Sequence, residues 1–128
     1  MTSYRSHRVA VYGTLKHGQS NHGFLAGARC LGECAMTSIV LYDLGPYPGA
    51  RREPSHGVLV EVYEVDPATF ARLDQLEDYN AAAPATGLYD RKLMDTPLGR
   101  AWVYLYNDEV SDARAIRSGG WTARTSVW

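Results

Sequence analysis

His56-Gly57-Val58-Leu59-Val60-Glu61-Val62-Tyr63-Glu64-Val65-Asp66-Pro67 is the stretch on which the fold turns. Val58, Val60 and Val62 share one side of an extended chain while Leu59, Glu61 and Tyr63 share the other, so the spacing predicts a strand from His56 to Val65. Both sides are partly apolar, which assigns that strand to the middle of a sheet. Asp66-Pro67 then opens a helix, with the aspartate as N-cap and the proline at the first helical position, where its missing N–H leaves nothing unpaired. That helix is expected to run to about Asp78.

Outward from this core the chain reads mainly as strands. Arg8 to Tyr12 is short and β-branched, Ala28 to Leu44 is mostly extended, and Leu88 to Thr96 pairs with Arg100 to Asn107 through a Pro97-Leu98-Gly99 turn. Trp102, Tyr104 and Tyr106 alternate along the last of these. Ser20 to Gly27 reads as one short helix capped by Ser20 or Asn21. Gly45-Pro46-Tyr47-Pro48-Gly49 forces a loop, and Asn80 to Gly87 is a loop suited to a lid or rim. These elements predict an α+β fold: a mixed, curled β-sheet, or a small β-barrel, flanked by short helices. The expected organisation is a single domain over residues 1–128, with 111–128 as a polar C-terminal tail.

With 128 residues, 45% hydrophobic, 21% charged and a net charge of -1, the chain has the composition of a soluble globular protein. It carries no basic excess to attract nucleic acid or anionic membrane, and no apolar run long enough to cross a bilayer. A cytoplasmic location is the expectation, since Met1 to Arg8 leads straight into a strand-like segment. Cys30 and Cys34 fit neither a zinc pair nor a redox pair, and in a strand they would share a face as small apolar residues. No metal site is expected.

Two features carry chemistry. Val11-Tyr12-Gly13-Thr14-Leu15 is an apolar run broken at a glycine, and the turn frees the N–H groups of Gly13, Thr14 and Leu15 to converge on an anion. In the predicted helix Phe70, Leu73, Leu76 and Glu77 form one stripe, so a carboxylate projects with the apolar set. Desolvation, the neighbouring Asp74 and Asp78, and the helix C-terminus would all raise its pKa toward that of a general base. Alternatively Glu77 reaches water at the stripe's edge, or pairs with Arg91, and the glycine merely serves a strand end.

These segments, in their order, resemble the γ-glutamylcyclotransferase-like family, and in particular its small members related to γ-glutamylamine cyclotransferase. Val11 to Lys16 with Gly18 and Asn21 looks like the N-terminal signature, and Leu73-Asp74-Gln75-Leu76-Glu77 like the acidic one. Tyr89-Asp90-Arg91 resembles the tyrosine–arginine strand, and Ser118-Gly119-Gly120-Trp121 the terminal glycine–tryptophan element. The resemblance implies a mixed β-barrel flanked by helices and a reaction without cofactor, in which the α-amine of a γ-glutamyl group attacks its own γ-carbonyl and releases pyroglutamate (5-oxoproline) with a free amine or amino acid. Carried over by position, Tyr12, Gly13, Thr14 and Leu15 would hold the glutamyl group and Glu77 would be the general acid/base, with Tyr89 a further substrate contact. Two positions depart from the family pattern: Asp78 stands where glycine is frequent, and Gly120 where aspartate is common. A non-catalytic small-molecule-binding or interaction module that keeps the pocket is the alternative of a different class.

Other candidates carry less. Arg91 shares a strand face with Tyr89 and could clamp a carboxylate or form a structural ion pair. His17 and His22 lie near the turn but have no metal-binding companion at a diagnostic spacing. No Gly-x-Ser-x-Gly elbow and no Gly-x₄-Gly-Lys-Ser/Thr loop occurs, and Trp102, Tyr104 and Tyr106 read as a packed sheet face rather than a base-stacking platform. Oligomeric state is not legible.

Overall fold

The computed structural model describes residues 7–122. Its main sheet has six strands. The path runs β2 (Arg29–Met36), β5 (Gly57–Val65), β1 (His7–Val11), β7 (Gly99–Tyr106) and β6 (Tyr89–Thr96), with β9 (Ser118–Gly119) also paired to β5. The β1–β7 and β5–β9 pairs are parallel and the others antiparallel. A second sheet orders β4 (Pro48–Arg51), β3 (Val40–Asp43) and β8 (Arg114–Ile116), all antiparallel.

The expected central strand is central, gripped by β2 on one side and by β1 and β9 on the other. Its alternation divides the core in two. Val58, Val60 and Val62 pack with Ala10, Val103, Ile39, Leu41 and Trp121 beneath the small sheet, while Tyr63 and Val65 pack with Val9, Tyr104, Phe70 and Leu73 beneath the helix. Each valine buried in this way is worth roughly 1.5–3 kcal/mol of transfer free energy. The helix α1 (Pro67–Leu76) starts as expected, with the Asp66 side chain accepting from the Thr69 amide at 2.7 Å.

The sheet is curled but not a closed barrel. Gly32 of β2 lies against Leu98 at the β6–β7 hairpin, so the two edges approach, yet they form no ladder. Four other expectations change. Ser20 to Gly27 is not an α-helix but a single 3₁₀ turn over His22–Leu25, because the Asn21 side chain is spent on Thr14 rather than on capping. The loop predicted at Gly45 to Gly49 ends early, with Pro48 already in β4. The supposed tail supplies β8 and β9 and buries Trp121, so its described part belongs to the fold. Cys30 and Cys34 do not share a face: a bulge between Cys30 and Gly32, where Gly32 takes φ +134°, moves Cys30 opposite Tyr63 and Cys34 opposite Val60.

Candidate active site

At the C-terminal end of α1 the chain encloses a cavity of about 330 Å³. Tyr12, Gly13, Thr14, Leu15, Glu77 and Tyr89, the six residues singled out in the sequence, all line it. Pro46, Tyr47 and Pro48 form another wall, and Tyr104 contributes from β7. Glu77 is the only charged side chain among these lining residues.

The Tyr12–Leu15 segment leaves β1 and turns back at once, the Lys16 amide donating to the Gly13 carbonyl at 3.0 Å. Asn21, which also lines the cavity, holds the turn: its Nδ2 donates to Thr14 Oγ1 at 2.9 Å and its amide to the Thr14 carbonyl at 2.8 Å. His22 Nδ1 adds a contact of 2.9 Å to the Leu15 carbonyl. With the carbonyls engaged, the amides of Gly13, Thr14 and Leu15 take no acceptor among the described residues. Such a run of unpartnered N–H groups suits a carboxylate. Gly13 is needed here for space, not for a left-handed backbone: a Cβ would come within 2.6 Å of Pro48 Cδ.

Glu77 follows α1 as its C-cap, one residue beyond the helix, where the sequence reading expected the last helical turn. Asp78, the next residue, turns left-handed at φ +53° and swings the chain away. The Glu77 carboxyl retains some exposure because it opens onto the cavity, but the protein around it strips most of its water and pushes its pKa from 4.5 up to about 7. Burial alone is responsible; neither Asp74 nor Asp78 adds to it as expected. Asp74 instead pairs with Arg91 at 3.0 Å and accepts the Tyr104 phenol at 2.7 Å.

Three phenols surround this carboxyl, and none gives it a proton. Tyr12 donates to the Tyr104 carbonyl at 2.6 Å, Tyr89 to the Pro48 carbonyl at 2.7 Å, and Tyr104 to Asp74. Burial is the chief reason all three are held above the ordinary tyrosine value, and the Glu77 charge raises each of them further. Tyr89 thus offers a ligand its ring and oxygen lone pairs, its proton being committed.

Arg91 does not reach the cavity. Its guanidinium sits over the rings of Phe70, Tyr79 and Trp102, at 4.2, 4.5 and 4.4 Å from their centroids, and binds Asp74, so it is the structural ion pair. Neither His17 nor His22 lines the cavity, and from the Asn80–Gly87 loop no residue does. Sequence reasoning singled out neither Tyr47 nor Tyr104 as a site residue, although it expected the Gly45–Gly49 loop to shape the pocket. Only the alternation of Trp102, Tyr104 and Tyr106 pointed at the latter, and it could not separate a cavity wall from packed core.

The comparisons agree with one another. Residues 9–123 match the family model described as gamma-glutamyl cyclotransferase, AIG2-like. The gamma-glutamylcyclotransferase family protein YtfP of Escherichia coli K12 is 41% identical over 118 residues, 91% of this chain and 97% of that protein. The gamma-L-glutamyl-butirosin B gamma-glutamyl cyclotransferase of Niallia circulans is 38% identical over 104 residues, covering 76% of this chain and 65% of the relative. Among solved structures, an AIG2-like protein from Mus musculus superposes with a TM-score of 0.72 at 28% identity, covering 90% of this chain and 88% of that one. The solution structure of E. coli YtfP gives 0.68 at 39% identity, over 89% and 95%. The chain belongs to the gamma-glutamyl cyclotransferase, AIG2-like family.

Proposed function

We propose that the protein is a γ-glutamyl cyclotransferase that needs no cofactor, with Glu77 as general acid/base and the Tyr12–Leu15 turn as the cradle for the glutamyl α-carboxylate. One observation supports this above the others: a desolvated carboxyl and a run of amides, neither with a hydrogen-bond partner among the described residues, line the same cavity. A zwitterionic α-amino acid head presents the complementary pair, an ammonium for Glu77 and a carboxylate for the amides.

The reaction follows from that placement. Glu77 takes a proton from the α-ammonium, which cannot attack while protonated. The freed amine adds to the γ-carbonyl carbon, the new C–N bond closes a five-membered lactam, and the old amide C–N bond breaks. Glu77 returns its proton to the departing nitrogen. A second proton lost by the ring nitrogen leaves the products as pyroglutamate and an alkylammonium ion. Nucleophile and electrophile belong to one molecule, so holding its folded-back rotamer supplies much of the rate, effective molarities of about 10⁵ M or more being attainable in this way.

No cation among the lining residues is available to a carboxylate on the departing side. γ-Glutamyl amides of uncharged amines are therefore the first substrates to assay, followed by γ-glutamyl amino acids. Pyroglutamate released by the native protein and lost in Glu77→Gln, by about 10²–10⁴-fold, is the expected result. No pyroglutamate from a broad panel would instead favour a binding module that keeps the cavity, and release of free glutamate would mean hydrolysis by the same base.

A further inference from the structure

The three phenols around Glu77 differ in how their protons are held. Tyr12 and Tyr89 donate to main-chain carbonyls, which the fold fixes. Tyr104 alone donates to a side chain, Asp74 Oδ1 at 2.7 Å, and that side chain is anchored by Arg91 at 3.0 Å within a cage of Phe70, Tyr79 and Trp102. Asp74 lies three residues before Glu77, about one turn along the same segment, while Tyr104 and Glu77 line the same cavity.

We propose that Asp74 is a positioning residue that acts through Tyr104: by accepting the phenol proton it keeps that donor away from the Glu77 carboxylate, so Glu77 stays free to take a proton from substrate. Arg91 completes the device by fixing where Asp74 stands. A hydrogen bond from the phenol would stabilise the carboxylate form and weaken it as a base. The titratable and charged groups around Glu77 are Tyr12 beyond β1, Tyr47 before β4, Tyr89 on β6, Tyr104 on β7, and Asp74 and Asp78 on its own segment, with Arg91 behind Asp74. Of the three phenols whose protons are committed to carbonyls or to Asp74, Tyr104 is the one whose proton a single side-chain change can release. The inference rests on Glu77 being the base.

The test compares wild type with Asp74→Ala, Asp74→Asn, Tyr104→Phe and the Asp74→Ala/Tyr104→Phe double variant. Each is read by the acidic limb of kcat/KM for pyroglutamate release and by NMR titration of the ¹³C-labelled Glu77 carboxyl, assigned against Glu77→Gln. In Asp74→Ala the freed phenol turns to Glu77, and both readings move to lower pH by about one unit or more. Asp74→Asn, whose amide oxygen still accepts the phenol proton, and Tyr104→Phe leave the Glu77 titration within a few tenths of wild type. The double variant returns it there. If Asp74→Ala does not move the titration, Asp74 holds no donor away from Glu77, and if the double variant stays shifted, the shift is merely the loss of a nearby charge; either result overturns the proposal. Should Asp74→Ala not fold, Asp74→Leu removes the acceptor while keeping side-chain bulk beside Tyr104 and Arg91. The NMR reading needs no turnover, so a protein that releases no pyroglutamate would defeat the functional reading while the titration still judges this one.

Discussion

Glu77 links the cavity's chemistry to the protein's stability. Its folded pKa of about 7 exceeds the 4.5 of an exposed glutamate, so the folded state binds this proton more tightly than the unfolded state. The resulting stabilisation is fully present below about 4.5 and is lost as pH rises through 7, an effect on the order of 2–3 kcal/mol. With Glu77 as the proposed base, activity runs the opposite way, because only a deprotonated carboxyl can accept a proton. We therefore expect kcat/KM to rise with pH along a limb centred near 7, while Glu77→Gln raises the melting temperature by several degrees at pH 8 and much less at pH 4.5. A melting temperature that Glu77→Gln leaves unchanged at both pH values would contradict the desolvation on which this rests. A second residue-scale case is Gly120, where the family commonly has aspartate. A Cβ at this position would come within 3.2 Å of Lys16 Nζ, the flexible end of a lysine that is only 8% exposed and forms no ion pair among the described residues. Burial lowers the Lys16 pKa, and Glu61 and Glu33 only partly oppose it. Gly120→Asp should thus stabilise the protein by about 1 kcal/mol in urea unfolding, and the gain should vanish in a Lys16→Met background.

Single elements were legible wherever a local rule had no competitor. Asp66-Pro67 starts α1 because an N-cap acceptor and a proline at the first position answer the same unsatisfied amides. The end of that helix was not legible. Asp78 does not read as a helix terminator, yet it adopts φ +53° while its carbonyl and its Oδ2 both accept from the Leu88 amide, at 3.1 and 3.2 Å. This geometry accounts for glycine at the corresponding family position: the site demands a left-handed residue, and aspartate is among the few others that tolerate one. Asp78→Gly should stay within about 0.5 kcal/mol of wild type, its relief of backbone strain offset by unfolded-state entropy and a lost side-chain bond. Asp78→Val, β-branched in a left-handed turn, should cost about 2 kcal/mol and misplace the adjacent Glu77, so that kcat falls with stability. Equal stability of the two variants by chemical denaturation would argue against this account. The 3₁₀ turn at His22–Leu25 failed to be read as such for a related reason: Asn21 had two possible uses, and the long-range one, holding Thr14, prevailed.

At the scale of the whole molecule, the longer strands and the β6–β7 hairpin were readable, but the short strands β4, β8 and β9 and the order of the strands across the sheet were not. Alternation in Val58 to Tyr63 reveals two buried faces, but nothing local says that β1 lies between β5 and β7, or that the edges β2 and β6 stop short of closing. The same limit hid the role of the C-terminal segment, whose polar composition suggested a tail. Trp121 is 1% exposed within the core shared by the two sheets, and its Nε1 donates to Asp43 Oδ1 at 3.2 Å. That same oxygen accepts from the Gly45 amide at 3.0 Å, at the root of the loop that carries Pro46, Tyr47 and Pro48 to the cavity wall. Trp121 is thus both a core filler and an indirect support for the cavity wall. Trp121→Ala should cost about 3–5 kcal/mol, as large aromatic truncations in cores do. Trp121→Phe, which keeps most of the bulk but lacks the indole donor, separates the two roles: it should lose far less stability than the alanine variant yet still loosen Asp43 and the loop rooted there. For that variant we expect a KM for γ-glutamyl substrate raised several-fold with kcat little changed, since Glu77 and the Tyr12–Leu15 turn are held by other contacts. An unchanged KM would mean that the loop is fixed without the indole, leaving Trp121 as packing alone.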